Sequence, residues 1–254
     1  MHANASRATP GPVVLVTGAA RRIGAAIAES LHASGARVVL HCHRSRAEAE
    51  ALRARFEASR AGSAAIVSAD LLDNAALPRL VAEAAAVFGR LDGLVNNASS
   101  FHATPLGAIA PADWDELAGT NLRAPLLLSQ AAAPHLKAAR GAIVNLVDIH
   151  AERPLRDYAV YSIAKAGLAA LTRSLALELA PEVRVNGVAP GAILWPEDGK
   201  HFAPGERERI TRQTPLGRTG EAAEVAGAVK YLLLDAPFVT GQILAVDGGR
   251  GLSL

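Results

Sequence analysis

The chain has 254 residues, half of them apolar and 20% charged, with a formal net charge of +2, which is typical of one globular domain burying roughly 70–75% of its unfolded surface. The small net charge gives no reason to expect nucleic acid or an acidic membrane as a partner. The sequence contains no apolar run of about 18 residues, so no membrane span is predicted. The single cysteine, Cys42, excludes an intrachain disulfide and favours a reducing, cytoplasmic location.

Short apolar runs alternate with helical stretches along most of the chain. Residues 1–12 are polar and alanine-rich, so we expect a disordered leader followed by one domain over residues 13–254. Strands are predicted at 13–16, 37–40, 64–67, 91–95, 142–147, 183–188 and 242–246. The alternation predicts an α/β fold, a Rossmann-type doubly wound parallel sheet of seven strands with helices on both faces. Ligands of such sheets lie beyond the carboxyl ends of the strands.

The helical stretches carry recognisable start, stop and break signals. Helices are predicted at 23–34, 47–59, 74–88, 112–139 and 221–234, and a further helix begins near Tyr161. Asn74 is a candidate N-cap, and breaks are expected near Asn121 and Pro125. The charged stretch 197–212 has few helix signals and is interpreted as a mobile lid.

A glycine-rich turn follows the first predicted strand. It reads Thr17-Gly18-Ala-Ala-Arg21-Arg22-Ile23-Gly24 and leads directly into a helix. Gly18 permits a tight turn, and Gly24 allows close packing of a helix whose N-terminus faces an anion. Arg22 stands where such loops usually have their middle glycine, and its guanidinium can itself bind phosphate. We therefore predict that Gly18, Arg21, Arg22, Ile23 and Gly24 bind the phosphates of a dinucleotide.

The end of the second predicted strand indicates which dinucleotide binds. An NAD-preferring site commonly has an acidic residue about 20 positions after the glycines, to hold the ribose hydroxyls. Here the sequence is His43-Arg44-Ser45, and no acidic residue occurs before Glu48. These three side chains can donate to a 2′-phosphate, so the sequence predicts NADPH as the cofactor.

Two neighbouring features leave alternatives open. His41 and His43 could bind a metal, but no third ligand lies within reach in the sequence, so no metal site is predicted. Asp70, followed by Leu71 after the third strand, could accept the adenine amino group or could simply stabilise a turn.

The segment from Asn145 to Lys165 contains the candidate catalytic residues. Tyr161 and Lys165 are four residues apart, so their side chains share one helix face. An ammonium beside a phenol is expected to lower the pKa of the tyrosine and make it a usable proton donor. Asp148 follows a buried strand and can face the same point. Isolated pairs with this spacing are more often surface residues, so the prediction depends on the neighbouring motifs.

Together these motifs resemble the short-chain dehydrogenase/reductase superfamily over about residues 13–249. The matching pieces are TGAARRIG, Asn96-Asn97-Ala98, Asn121, the Tyr-x-x-x-Lys pair, Pro190-Gly191 and the terminal VDGG. Within it, the combination of Arg22, the HCHRS strand end, the stretch 96–101 and Asp148 is similar to the pteridine reductase family. Most superfamily members have a serine where this chain has Asp148.

This resemblance implies roles for individual residues. The catalytic tyrosine and lysine correspond to Tyr161 and Lys165, and Asn121 to the helix asparagine that holds a lysine-linked water. Phe101 is implied to stack on the substrate, with Trp195 closing over it or merely packing. The remaining implied cofactor contacts are Asn97, Ala98, Ser99, Pro190, Gly191 and Ile193, and Arg22 and Ser99 are implied to contact phosphate or substrate.

The implied activity is NADPH-dependent reduction of pterins or folates by a homotetramer. In a pterin, hydride goes to the carbon of a C=N bond and a proton to the nitrogen. Asp148, Tyr161 and Lys165 would then form a proton relay, whereas the alternative is that Asp148 only caps the next segment. Two other functions stay open: a ketone reductase acting on a 3-oxoacyl thioester, and a dinucleotide-binding sensor without turnover.

Overall fold

The apolar runs predicted as strands all form strands, and these pair into one parallel sheet. The structure is a computed structural model that describes residues 11–194 and 205–253. Its seven strands lie in the order β3-β2-β1-β4-β5-β6-β7. They are β1 (Val13–Val16), β2 (Arg37–Cys42), β3 (Ala64–Ser68), β4 (Gly93–Asn96), β5 (Ala142–Leu146), β6 (Arg184–Pro190) and β7 (Ile243–Val246). The predicted doubly wound α/β fold is therefore confirmed.

Helices connect the strands and cover both faces of the sheet. They are α1 (Arg22–Ala33), α2 (Arg46–Ser59), α3 (Ala76–Phe88), α4 (Pro111–Ala118), α5 (Ala124–Ala139), α6 (Ala159–Glu178), α7 (Glu206–Gln213) and α8 (Ala222–Lys230). A π-helical turn, Gly119–Arg123, joins α4 to α5, and another, Tyr231–Asp235, follows α8. Short 3₁₀ turns lie at Ile149–Ala151 and Arg250–Leu252.

The structure corrects three local predictions. Asn74 caps nothing, because α3 begins at Ala76 after turns in which Asp70 and Asp73 accept from backbone N–H groups. Pro125 does not interrupt a helix, because it lies in the first turn of α5, where a missing N–H is tolerated. The stretch 197–212 contains the start of α7, which glutamates in its first turn favour.

Successive residues of the central strands point to opposite faces, and both faces are buried. Val14 and Val16 of β1 pack with α1, α2 and α8, whereas Val13 and Leu15 pack with α3 and α5. This two-sided burial explains why the strands are continuous apolar runs rather than alternating patterns. No helix within the described residues is both long and apolar enough to cross a bilayer.

Strand order places the candidate site. β1 pairs with β2 on one side and with β4 on the other, so the connections leave β1 in opposite directions. A crevice forms at such a switch point, beyond the carboxyl ends of the strands. The loops that follow β1, β2, β3 and β4 converge on this edge of the sheet.

Candidate active site

The glycine-rich turn leaves β1 through backbone that excludes larger side chains. Gly18 has a φ of +62°, in the left-handed region that glycine favours. A Cβ at Gly24 would lie 2.1 Å from the carbonyl oxygen of Gly18, so the start of α1 packs directly on the turn. The Asn97 amide donates to the carbonyl of Thr17 at 2.8 Å and to that of Gly18 at 3.2 Å. These contacts create a rigid, open turn at a helix N-terminus, which suits a phosphate.

Arg22 adopts an unusual backbone conformation in this turn. Its φ is +55°, which costs a non-glycine residue about 1 kcal/mol. The Nη2 of Arg22 donates to the carbonyl oxygen of Leu194 at 3.2 Å, so the side chain reaches from the turn to the loop after β6. The side chain thus lies where it can meet both a phosphate and the substrate side of the site.

A cleft of about 640 Å³ lies above the ends of the first four strands. The structure brings together here all the predicted cofactor residues that follow these strands. They are Gly18, Arg21, Arg22, Ile23, Gly24, His43, Arg44, Ser45, Asp70, Leu71, Asn97, Ala98 and Ser99. Their contacts with a cofactor stay predictions, but the cleft, glycine turn and cationic rim fit a dinucleotide phosphate.

Two carboxylates near the rim each lie close to a nitrogen-bearing side chain. His43 Nδ1 lies 3.9 Å from a carboxyl oxygen of Asp70, and Arg21 lies 3.8 Å from that of Glu48. Asp70 also accepts from the backbone N–H of Leu72 at 2.9 Å, so it stabilises a turn while lining the cleft. No group of three or more His, Cys, Asp or Glu residues within the described ranges could hold a metal ion.

The three candidate catalytic residues meet at the end of β5. The Tyr161 hydroxyl donates to Oδ2 of Asp148 at 2.8 Å. The other carboxyl oxygen, Oδ1, accepts from the backbone N–H of His150 at 2.8 Å. Asp148 therefore both caps the following 3₁₀ turn and contacts the tyrosine, so the two interpretations are compatible. Lys165 Nζ donates to the carbonyl of Leu146 at 2.8 Å and lies 5.6 Å from the centre of the Tyr161 ring.

The pKa of Tyr161 is shifted in the opposite direction to the one that the sequence predicts. Burial, and then the charge and hydrogen bond of Asp148, raise the pKa of Tyr161 well above 10.0. Lys165 does not reverse this shift, because the ammonium is itself buried and bonded to a carbonyl. Burial lowers the pKa of Lys165 from 10.5 to about 8, while the charge of Asp148 opposes that change. The expectation that Lys165 lowers the pKa of Tyr161 is thus wrong here; Tyr161 is a neutral donor.

Asn121 lies in the π-helical turn between α4 and α5, a distortion that is frequent at functional sites. Its amide donates to the carbonyls of Ser100 and Leu117, each at 2.9 Å. The Ser99 hydroxyl donates to Oδ1 of Asn121 at 2.6 Å. Because Ser99 also lines the cofactor cleft, it connects the dinucleotide region with the catalytic region.

Three aromatic rings, those of Phe101, Tyr158 and Tyr161, form one wall of the site. The Phe101 ring stacks on Tyr158 at a centroid distance of 4.6 Å and meets Tyr161 edge-on at 4.8 Å. Sequence patterns do not reveal the position of Tyr158 in this wall, because its stacked partner lies 57 positions away in the chain. The implied stacking of Phe101 on a substrate stays a prediction.

The residues after β6 that are predicted to contact cofactor or substrate lie only partly within the described ranges. Pro190 ends the strand, and Gly191 donates its N–H to Val246 at 3.0 Å. The Ile193 side chain is buried in the core, so only its backbone is available to a ligand. Trp195 lies outside the described residues.

Comparisons with known proteins agree with this geometry. Residues 18–250 match the family model described as enoyl-(acyl carrier protein) reductase. The chain is 40% identical to pteridine reductase 1 of Leishmania tarentolae, covering 95% of this chain and 97% of that protein. It is also 40% identical to a protein named as a ketoacyl reductase of the granaticin polyketide synthase of Streptomyces violaceoruber, covering 98% and 99%. It is 37% identical to 3beta-hydroxysteroid dehydrogenase 1 of Eggerthella lenta, covering 95% and 94%.

Three relatives of similar identity thus carry names for three different substrates, so overall identity does not select one. All three names describe oxidoreductases. The chain belongs to the short-chain dehydrogenase/reductase family and is an NAD(P)-dependent oxidoreductase.

Proposed function

We propose that the protein is an NADPH-dependent pteridine reductase that reduces the C=N bond of a dihydropterin or dihydrofolate. The observation that carries the proposal is the 2.8 Å hydrogen bond from the Tyr161 hydroxyl to Asp148. A ketone reductase needs neutral donors where negative charge develops on the substrate oxygen. A carboxylate at Asp148 would instead repel that oxygen, so the arrangement favours a substrate whose nitrogen takes up a proton.

The residues of the chain account for the proton in this reaction. The hydrogen of the Tyr161 hydroxyl is held between the phenol and Asp148, so a substrate nitrogen at this point can receive it. The Lys165 ammonium lies 5.6 Å from the centre of the same ring and donates to the Leu146 carbonyl, so it places a positive charge at the site without lowering the pKa of Tyr161. When NADPH is bound, it supplies the hydride that goes to the adjacent carbon.

The preference for NADPH is supported by the end of β2. His43, Arg44 and Ser45 line the cleft there, and no acidic residue occupies the position that would hold ribose hydroxyls. The nearest acids, Glu48 and Asp70, each lie close to a cationic or titratable partner. The Arg44 guanidinium and the Ser45 hydroxyl are donors that suit a 2′-phosphate.

The aromatic wall supports a flat substrate. Phe101 offers a ring beside Tyr161, and stacking of a heterocycle on it is worth about 0.5–1.5 kcal/mol beyond the buried area. The second candidate, a 3-oxoacyl thioester reductase, is favoured by the similarity to the granaticin ketoacyl reductase.

The loss of NADPH absorbance with dihydrobiopterin, dihydrofolate or a 3-oxoacyl thioester separates these functions. We expect kcat/KM for a pterin or folate to exceed that for the thioester by at least about 100-fold. The Tyr161→Phe variant, which lacks the hydroxyl, should abolish turnover of every substrate and serves as the baseline. Faster reduction of the thioester would support the ketoacyl reductase function, and binding of NADPH without any turnover would support a sensor.

A further inference from the structure

A buried histidine at the end of β2 contacts two walls of the cofactor cleft. The side chain of His41 is only 2% exposed. Its Nδ1 lies 3.2 Å from the backbone nitrogen of Gly18, and its Nε2 lies 3.2 Å from the carbonyl oxygen of Ala69. The backbone carbonyl of His41 also accepts from the N–H of Ala19 at 2.9 Å. The ring therefore spans the glycine turn and the loop after β3.

These partners determine the tautomer of the ring. A backbone N–H can only donate, so Nδ1 of His41 must be unprotonated to accept from Gly18. A carbonyl can only accept, so Nε2 must carry the hydrogen that Ala69 receives. A doubly protonated ring could not accept from Gly18, and the buried N–H would then lose its partner. The contact with the turn thus requires a neutral imidazole.

The turn is held from two sides. Asn97 binds the carbonyls of Thr17 and Gly18 from the β4 side, and His41 binds the N–H of Gly18 from the β2 side. We propose that His41 is a positioning residue for the dinucleotide, whose neutral imidazole fixes the glycine turn relative to the wall formed by the loop after β3. The inference needs only the dinucleotide of the family and does not depend on a pterin substrate.

The surroundings of His41 include several titratable or charged groups. His43 on the same strand end opposes protonation of His41, together with burial, whereas the bond to Ala69 favours it. Other charged or titratable groups line the cleft around the ring, and they come from the glycine turn, the end of β2, the loop after β3 and α4. They are Arg21, Arg22, Cys42, Arg44, Asp70 and Glu116. A pH experiment must therefore compare proteins that differ only at His41.

Two variants separate the bonds made by the two ring nitrogens. His41→Asn retains an acceptor at the δ position, facing Gly18, whereas His41→Gln retains a donor at the ε position, facing Ala69. Calorimetry at neutral pH should show NADP⁺ binding to H41N within about threefold of wild type. H41Q should bind at least about fivefold more weakly, the effect of one unmade bond to a buried N–H. Because the role is positional, kcat at saturating cofactor should be retained in both variants.

Acid should weaken binding in the wild type more than in H41N. We expect the ratio of the H41N and wild-type dissociation constants for NADP⁺ to fall about twofold as pH drops from 7 to 4, where half of the wild-type His41 rings are protonated and have lost their acceptor. The 2′-phosphate titrates in both proteins, so its effect cancels in that ratio. NADP⁺ is the suitable probe, because the reduced cofactor decays in acid. Equal binding by H41N and H41Q, or a ratio independent of pH, would overturn the proposal.

A measurement on the unaltered chain covers the case in which a variant does not fold. The ¹⁵N shifts of the histidine rings in the wild type report which nitrogen is protonated. We expect an unprotonated Nδ1 and a protonated Nε2 for His41 at neutral pH. The opposite tautomer could not accept from Gly18 and would rule out the positioning role.

Discussion

Replacing Asp148 by asparagine separates its two contacts and tests the proton relay directly. Asparagine retains an oxygen that can accept from the N–H of His150, so the cap on the 3₁₀ turn is preserved. Its amide then faces the Tyr161 hydroxyl and offers a donor where the wild type offers an acceptor. The structure therefore provides a substitution that removes the relay contact without removing the cap.

The size of the effect follows from the bond that is lost. A hydrogen bond to a charged acceptor contributes about 1.5–3 kcal/mol, and each 1.36 kcal/mol of barrier is a factor of ten in rate. We expect Asp148→Asn to lower kcat for dihydrobiopterin by roughly 10- to 150-fold. The assay is NADPH oxidation at saturating pterin, with NADPH binding and Tm measured on the same sample. NADPH binding should stay close to its wild-type value, whereas Tm should fall, because the lost bond also stabilises the fold.

Two further variants calibrate that result. Asp148→Ala removes both contacts and should also lower Tm, because a lost cap costs about 0.5–2 kcal/mol. Asp148→Ser introduces the residue that most superfamily members carry and should cut pterin reduction at least about tenfold while favouring a ketone. If D148N reduced dihydrobiopterin as fast as wild type, Asp148 would be a structural cap and the reasoning about the pterin would be refuted.

Four other predictions concern separate parts of the site. Phe101→Ala should raise KM for pterins by at least roughly 2- to 12-fold and leave KM for NADPH unchanged; an equal rise in both would make Phe101 a packing residue. Arg44→Asp should lower the NADP⁺-over-NAD⁺ affinity ratio by roughly 10- to 150-fold in calorimetry, and an unchanged ratio would place the 2′-phosphate elsewhere. The activity should decline above pH 8 as Lys165 loses its proton, and the pH–activity curve of Lys165→Arg should lack this decline. The free energy of unfolding should rise between pH 8 and 10.5, because in that range the lysine is protonated in the unfolded chain and neutral in the folded protein. Burial lowers the pKa of His41 from 6.5 to about 4, so urea unfolding should show up to about 3 kcal/mol of stability lost as pH falls through that window, and less loss in H41N.

Sequence patterns predicted the parts of this protein that depend on local chemistry. The strands of the sheet coincide with the apolar runs that predicted them. The spacing of Tyr161 and Lys165 correctly placed both on α6, and the apolar run before Asp148 placed that residue at a strand end. Each of these inferences needs only a few neighbouring residues.

The remaining features depend on contacts between distant segments. His41 was weighed only as a metal ligand, because its partners Gly18 and Ala69 lie 23 and 28 positions away and contribute backbone atoms that no side-chain pattern reveals. The raised pKa of Tyr161 results from burial and from the charge of Asp148, and the depth of burial is known only after packing. A motif therefore indicates candidate reacting groups but does not determine their protonation.

The left-handed backbone of Arg22 sets stability against function at one position. Glycine would adopt that conformation without strain, so Arg22→Gly should make the free fold harder to melt. The same change would remove the hydrogen bond from the turn to Leu194 and a cation from the mouth of the site. A screen that selects for thermal stability alone would thus favour a form of this enzyme with a higher Tm but a lower activity.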